Sequence, residues 1–167
     1  YTNKRVYWYT LSTAWDISTA TFNGYKSVST EDAAPQHVFI TPDGTRMFVT
    51  GNSSRKVFQY NLSTAWDVTT AAYSTFGGVS AQDSSPTGVS FSSDGSSMYV
   101  VGSTGGKIYQ YTLTTSWDVS TLSYLTYKSV STEDTYPFGI FFSADATLLY
   151  LAGSLNDRVY QYKLLGA

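Results

Sequence analysis

Residues Thr87–Leu113 read TGVSFSSDGSSMYVVGSTGGKIYQYTL, three short apolar segments set apart by two turn signals. After Pro86 the segment TGVSFSS places Val89 and Phe91 on one side, as in a half-buried strand. Asp94-Gly95 is the dipeptide that joins two antiparallel strands through a tight turn. SMYVVGS follows, apolar on both sides through Met98, Tyr99 and Val100, which suits a strand sandwiched between neighbouring sheets. A second turn, STGG, leads into KIYQYTL, where Tyr109, Tyr111 and Leu113 alternate with Ile108, Gln110 and Thr112. Beyond a Trp-Asp phrase, LSYLTYKSV supplies a fourth strand with Tyr124 and Tyr127. In order these are strands a, b, c and d of one antiparallel unit.

The unit recurs. Val6, Val57, Ile108 and Val159 fall in register at a fixed spacing without gaps, and so do Asp43, Asp94 and Asp145. STAWDISTA from Ser12 returns as STAWDVTTA from Ser63 and TTSWDVSTL from Thr114. The chain therefore forms a single repeat domain over residues 1–167, with units 6–56, 57–107 and 108–158 and a partial strand at 159–165. Four antiparallel strands per unit, with no crossover helices, describe an all-β propeller of four-stranded blades. The stretches PDGTRMFVT to VFQYNL and SDGSSMYVV to IYQYTL resemble the blades of the YVTN and NHL-like propeller families. Ala146 departs from that pattern, standing where the other copies have a turn glycine. The resemblance implies the fold and leaves the function open.

The strand order reads c d, a b c d, a b c d, a b c. A three-bladed ring would demand more wedge per blade than twisted sheets supply. The expectation is half of a six-bladed ring, closed by a second copy in a homo-oligomer or by further repeats of a longer parent. In that dimer, strand d of one copy completes the last blade of the other, with one strand c left over. The start at Tyr1, without Met or a signal-like segment, reads as a processed or excised piece.

Ten basic and twelve acidic residues, with no basic block, exclude the electrostatic footprint of a nucleic-acid or anionic-membrane binder, and no apolar run is long enough to insert in a membrane. Without cysteine there are no disulfides, thiolate metal sites or cysteine nucleophiles. The Ser, Thr, Gly and Tyr bias leads to an extracellular or cell-surface expectation, and Asn52 and Asn61 head glycosylation triplets.

Propeller geometry puts the d-to-a and b-to-c loops on one face. Asp32, Asp83 and Asp134 lie there beside Glu31, Gln82 and Glu133, with Arg5, Lys56, Lys107 and Arg158 at the ends of the b-to-c turns. Two readings stand: a ring of repeated ligand sites, or loop caps and ion pairs across blades. On the opposite face, Trp15, Trp66 and Trp117 either stack on sugars, with Asp16, Asp67 and Asp118 accepting hydroxyl bonds, or plug crevices between blades while those carboxylates bond hairpin amides. His37 stands where Gly88 and Gly139 stand in the other copies and reads as a polar residue at a channel mouth. One imidazole and sparse carboxylates give no zinc or calcium pattern, so neither metal nor cofactor is expected, and no catalytic residue is assigned.

The near-identity of the copies points to a non-enzymatic module, lectin-like or protein-binding, that recognises carbohydrate or protein through repeated loop faces. The alternatives are a propeller hydrolase or lactonase with a carboxylate-bound metal in the channel, and a structural spacer without a ligand.

Overall fold

A computed structural model describes residues 3–164, so Leu165 of the expected last strand lies outside the described residues. Among the described residues, thirteen strands form four sheets. Blade I pairs β1 (Arg5–Leu11) with β2 (Ala20–Ser27). Blade II runs β3 (Pro35–Ile40), β4 (Arg46–Gly51), β5 (Lys56–Leu62), β6 (Ala71–Gly78). Blade III repeats it as β7 (Pro86–Phe91), β8 (Ser97–Gly102), β9 (Lys107–Leu113), β10 (Leu122–Ser129). Blade IV holds β11 (Pro137–Phe142), β12 (Leu148–Gly153), β13 (Arg158–Lys163). Every ladder is antiparallel, in the a, b, c, d order that the repeat dictates.

Two irregularities recur and shape each wedge. In every c–d pair one residue of strand d bulges, at Asn23, Ser74 and Leu125. In every a–b pair one residue of strand a does so, at Gln36, Thr87 and Phe138. A bulge sharpens the local twist and re-aims the next side chain. His37 follows such a bulge directly.

Blades pack face to face through alternating side chains, so each central strand is apolar on both sides. Met47, Val49, Phe58, Tyr60 and Val68 of blade II meet Val6 and Trp8 of blade I. On its other face Phe48 and Val57 join Val89, Val100, Tyr109, Tyr111 and Val119 of blade III. Val101 and Ile108 then meet Ile140, Leu149 and Leu151 of blade IV. The core is thus a series of three inter-blade layers, and the first strands β3, β7 and β11 lie side by side along the inner edge.

Each c-to-d hairpin contains a single-turn 3-10 helix, at Ile17–Thr19, Val68–Thr70 and Val119–Thr121, which the strand pattern alone does not predict. Asp16, Asp67 and Asp118 cap these turns by accepting from Ser18 N, Thr69 N and Ser120 N at 3.0, 2.9 and 3.0 Å. The carboxylates hold the hairpin's shape, as the structural reading of the Trp-Asp phrase expects.

Candidate functional site

The inner strands line a concavity. A cavity of about 480 Å³ runs along β3, β7 and β11, lined by His37, Phe39, Ser90, Phe91, Trp117 and Phe142 among others. Its floor is aromatic because strand a of each blade turns a ring toward the layer between blades. Phe39 and Phe91 lie 5.1 Å apart between centroids, and Phe48 backs Phe91 at 4.4 Å. Its polar side chains include the hydroxyls of Ser90, Ser92, Ser93, Ser143 and Tyr99, together with the imidazole of His37. Burial lowers the His37 pKa below the usual 6.5, which favours the neutral ring. Its Nδ1 is buried and meets no hydrogen-bond partner among the described residues. A neutral imidazole of this kind can accept a proton.

Asp32, Asp83 and Asp134 are buried rather than displayed on a rim. Asp32 accepts from Ala34 N at 2.6 Å and Ser54 N at 2.8 Å, tying the d-to-a loop to the b-to-c turn. Asp134 does the same through Tyr136 N at 2.7 Å and Asn156 N at 2.9 Å. Asp83 accepts from Ser85 N at 2.7 Å; burial pushes its carboxyl above the usual value against the pull of Lys107. Gly51, Gly102 and Gly153 stand where any Cβ would collide with these carboxylates.

The bases of the same loops rest on aromatic rings of their own blades. Arg5 lies 3.9 Å from the Tyr25 centroid, Lys56 3.7 Å from Phe76 and Lys107 4.4 Å from Tyr127, all cation–π contacts. Arg158 is exposed at the start of β13.

The three tryptophans share a left-handed backbone, with φ of 67°, 67° and 63° at Trp15, Trp66 and Trp117. Their surroundings differ. Trp117 inserts between blades II and III, its centroid 6.2 Å from Phe39, 6.3 Å from Phe48 and 5.5 Å from Phe91. Trp66 covers Gly44 and donates its backbone N–H to the Gly44 carbonyl at 2.9 Å, leaving half the residue in solvent. Trp15 is free of such cover.

Gln59 carries a role that sequence reasoning passed over: its Oε1 accepts from Val119 N at 3.1 Å across the layer between blades II and III. The signal was present, since Gln110 and Gln161 recur at its position. Among the described residues no three His, Cys, Asp or Glu side chains converge as a metal site.

Comparison with solved structures returns propellers. A candidate 6-phosphogluconolactonase from Bacteroides fragilis superposes with a TM-score of 0.66 at 11% identity, over 96% of this chain and 44% of its own. One from Bacteroides uniformis gives 0.63 at 17% identity, over 94% and 46%. The periplasmic gluconolactonase of Pseudomonas aeruginosa gives 0.57 at 17% identity, over 86% and 38%. The chain therefore spans less than half the length of these proteins. No curated protein sequence matches it. The expectation of a non-enzymatic module is overturned by the match of residues 3–165 to the family described as "Lactonase, 7-bladed beta-propeller": the chain belongs to that family.

Proposed function

We propose that this chain contributes blades to a propeller that hydrolyses a sugar lactone. The observation that carries the reading is the family match, which extends over residues 3–165. The gluconolactonase neighbours support the substrate class, an aldonic acid lactone with or without a phosphate. The inner cavity suits that class, with aromatic walls for the sugar ring and serine hydroxyls for its own hydroxyls. In this reading water adds to the lactone carbonyl carbon and the ring C–O bond breaks. His37 takes the proton from the attacking water and returns it to the departing alkoxide. An exported setting goes with the proposal, supported by the periplasmic neighbour.

The test is ring opening of gluconolactone and 6-phosphogluconolactone by the purified chain. Hydrolysis above the spontaneous rate is expected, and His37→Gln should lower kcat by about 10²-fold or more with the fold intact. Rates indistinguishable from buffer on both lactones overturn the proposal. An active chain that is indifferent to His37→Gln removes the histidine from the mechanism.

A further inference from the structure

The outer strands of the blades carry charge of one sign. The described c and d strands include Lys26, Lys56, Lys107 and Lys128 and hold no aspartate or glutamate, although the chain is acidic overall. The carboxylates fall in turns and loops instead. Separated in sequence, these lysines form no basic block; the fold lines them along the outer edge of the sheets.

Aromatic rings lie with them in two strips. Tyr73 and Phe76 of β6 continue the I–II layer outward, each 6.4 Å from Phe58, with Tyr73 also 6.0 Å from Tyr60. Tyr124 and Tyr127 of β10 continue the II–III layer in the same way, 6.0 Å from Tyr111 and 6.3 Å from Tyr109. All four are between 42% and 50% exposed. That exposure does not come from the ends of the sequence, because the outer strands of the preceding blade, β1–β2 for one strip and β5–β6 for the other, are in place. At the hairpin end each strip is closed, where Thr69 sits on Gly24 and Leu122 on Gly77 with no room for a Cβ. At the other end Lys56 lies over Phe76 and Lys107 over Tyr127, on rings rather than on carboxylates.

We propose that these two strips bind a polysaccharide of acidic sugars, one carboxylate to a sugar. A sugar ring is amphipathic: its C–H face packs on Tyr73 and Phe76, or on Tyr124 and Tyr127, and its hydroxyls bond the tyrosine hydroxyls. Its carboxylate accepts from Lys56 or Lys107, because an ammonium resting on a ring still has N–H groups to donate. Charge complementarity names the occupant, since these strands present cations and rings with no carboxylate of their own to repel an acidic polymer. A single lysine in the II–III strip suits carboxylates spaced one to a sugar better than the dense phosphates of a nucleic acid. Strips on adjacent blades let one polymer engage both, so weak single contacts gain through avidity. The I–II strip is the stronger, because Lys26 reaches Tyr60 there, 5.8 Å from its centroid, where the next repeat has Gly77. The strips lie on the outer strands, apart from the inner cavity, so the proposal holds whether or not the chain opens lactones.

Electrophoresis through native gels containing polygalacturonate tests this. Wild type should be retarded as the polymer concentration rises, and less so with added salt. Methyl-esterified polygalacturonate, the same sugar without its charge, should bind about tenfold more weakly or worse. Lys56→Gln combined with Lys107→Gln should weaken binding about tenfold or more, and so should Tyr73→Ser combined with Tyr124→Ser, which leaves every charge in place. Arg46→Gln, which removes a cation from β4 outside the strips, should change nothing. No retardation by polygalacturonate, equal retardation by its ester, or unchanged binding in either double variant overturns the proposal. Stronger retardation by single-stranded DNA than by polygalacturonate at the same salt also overturns it and assigns the strips to nucleic acid. Circular dichroism checks the fold of each variant; the lysine pair leaves the layers between blades untouched, so that arm decides the matter if the tyrosine pair fails to fold.

Discussion

Tyr9 and Tyr60 hold the same place in consecutive repeats, on the c strands of blades I and II. Tyr9 is 52% exposed and Tyr60 is 0% exposed. Their immediate sequences, VYWYTL and VFQYNL, are close to interchangeable, so the difference comes from what stands across the face. Blade I covers Tyr60, and no described strand covers Tyr9. Val159 and Val57 repeat the lesson at the other end. A repeat sequence encodes a two-sided wedge, and burial is a property of the neighbour as much as of the residue.

The comparison breaks most visibly if the buried and exposed tyrosines are truncated in turn. Tyr60→Ala empties a filled layer between blades and should cost about 3–5 kcal/mol, read from the urea midpoint. Tyr9→Ala in the dilute chain should stay within about 0.5 kcal/mol. Equal effects would mean that the blades are stable singly and that the layers between them matter little.

The loop aspartates sharpen the contrast from the other side, because their bonds stay within one blade and its leading loop. Asp32→Ala strands the amides of Ala34 and Ser54, and Asp134→Ala strands those of Tyr136 and Asn156. Each should cost about 1–3 kcal/mol, with the inner and end blades alike. Thermal midpoints of the two variants would test this, and a much smaller loss at Asp134 would show that blade IV is frayed. Between these cases lies the cross-blade bond: Gln59→Leu leaves Val119 N–H unpaired and should cost about 1–2 kcal/mol, whereas Gln161→Leu should change nothing in the dilute chain.

Strand order, strand bounds and the face shared by each pair of loops were legible because alternation and turn dipeptides are local signals. Asp94-Gly95 marks its turn, and KIYQYTL declares β9 without reference to any neighbour. The Trp-Asp phrase was half legible. Its aspartates cap hairpins as the residue type dictates, yet one written phrase gives a wedged Trp117, a half-covered Trp66 and an open Trp15. The buried state of Asp32, Asp83 and Asp134 was hidden, since a carboxylate on a rim and one folded under a loop have the same spelling. Membership of the lactonase propeller family was hidden too. Near-identical copies argued for binding, although one inner-strand position deviates, with His37 standing where Gly88 and Gly139 stand in the other copies. Blade number follows the same logic: doubling three repeats gives six, the family description counts seven, and nothing within one wedge encodes the total.

The smallest expected effect belongs to that deviant position and separates blade II from blades III and IV by pH. Burial lowers the folded-state pKa of His37 below 6.5, so at acidic pH the unfolded chain binds more protons than the folded one. The stability tied to the neutral ring is fully present above about pH 6.5 and declines as pH falls from there toward the depressed folded value. His37→Gly, which copies Gly88 and Gly139, should remove this acid-side slope while leaving the carboxylate-driven loss at lower pH. Urea midpoints measured from neutral to mildly acidic pH read the difference between the two chains. A slope unchanged by the substitution would place the imidazole in water, and with it would go the buried proton acceptor on which the proposed role of His37 depends.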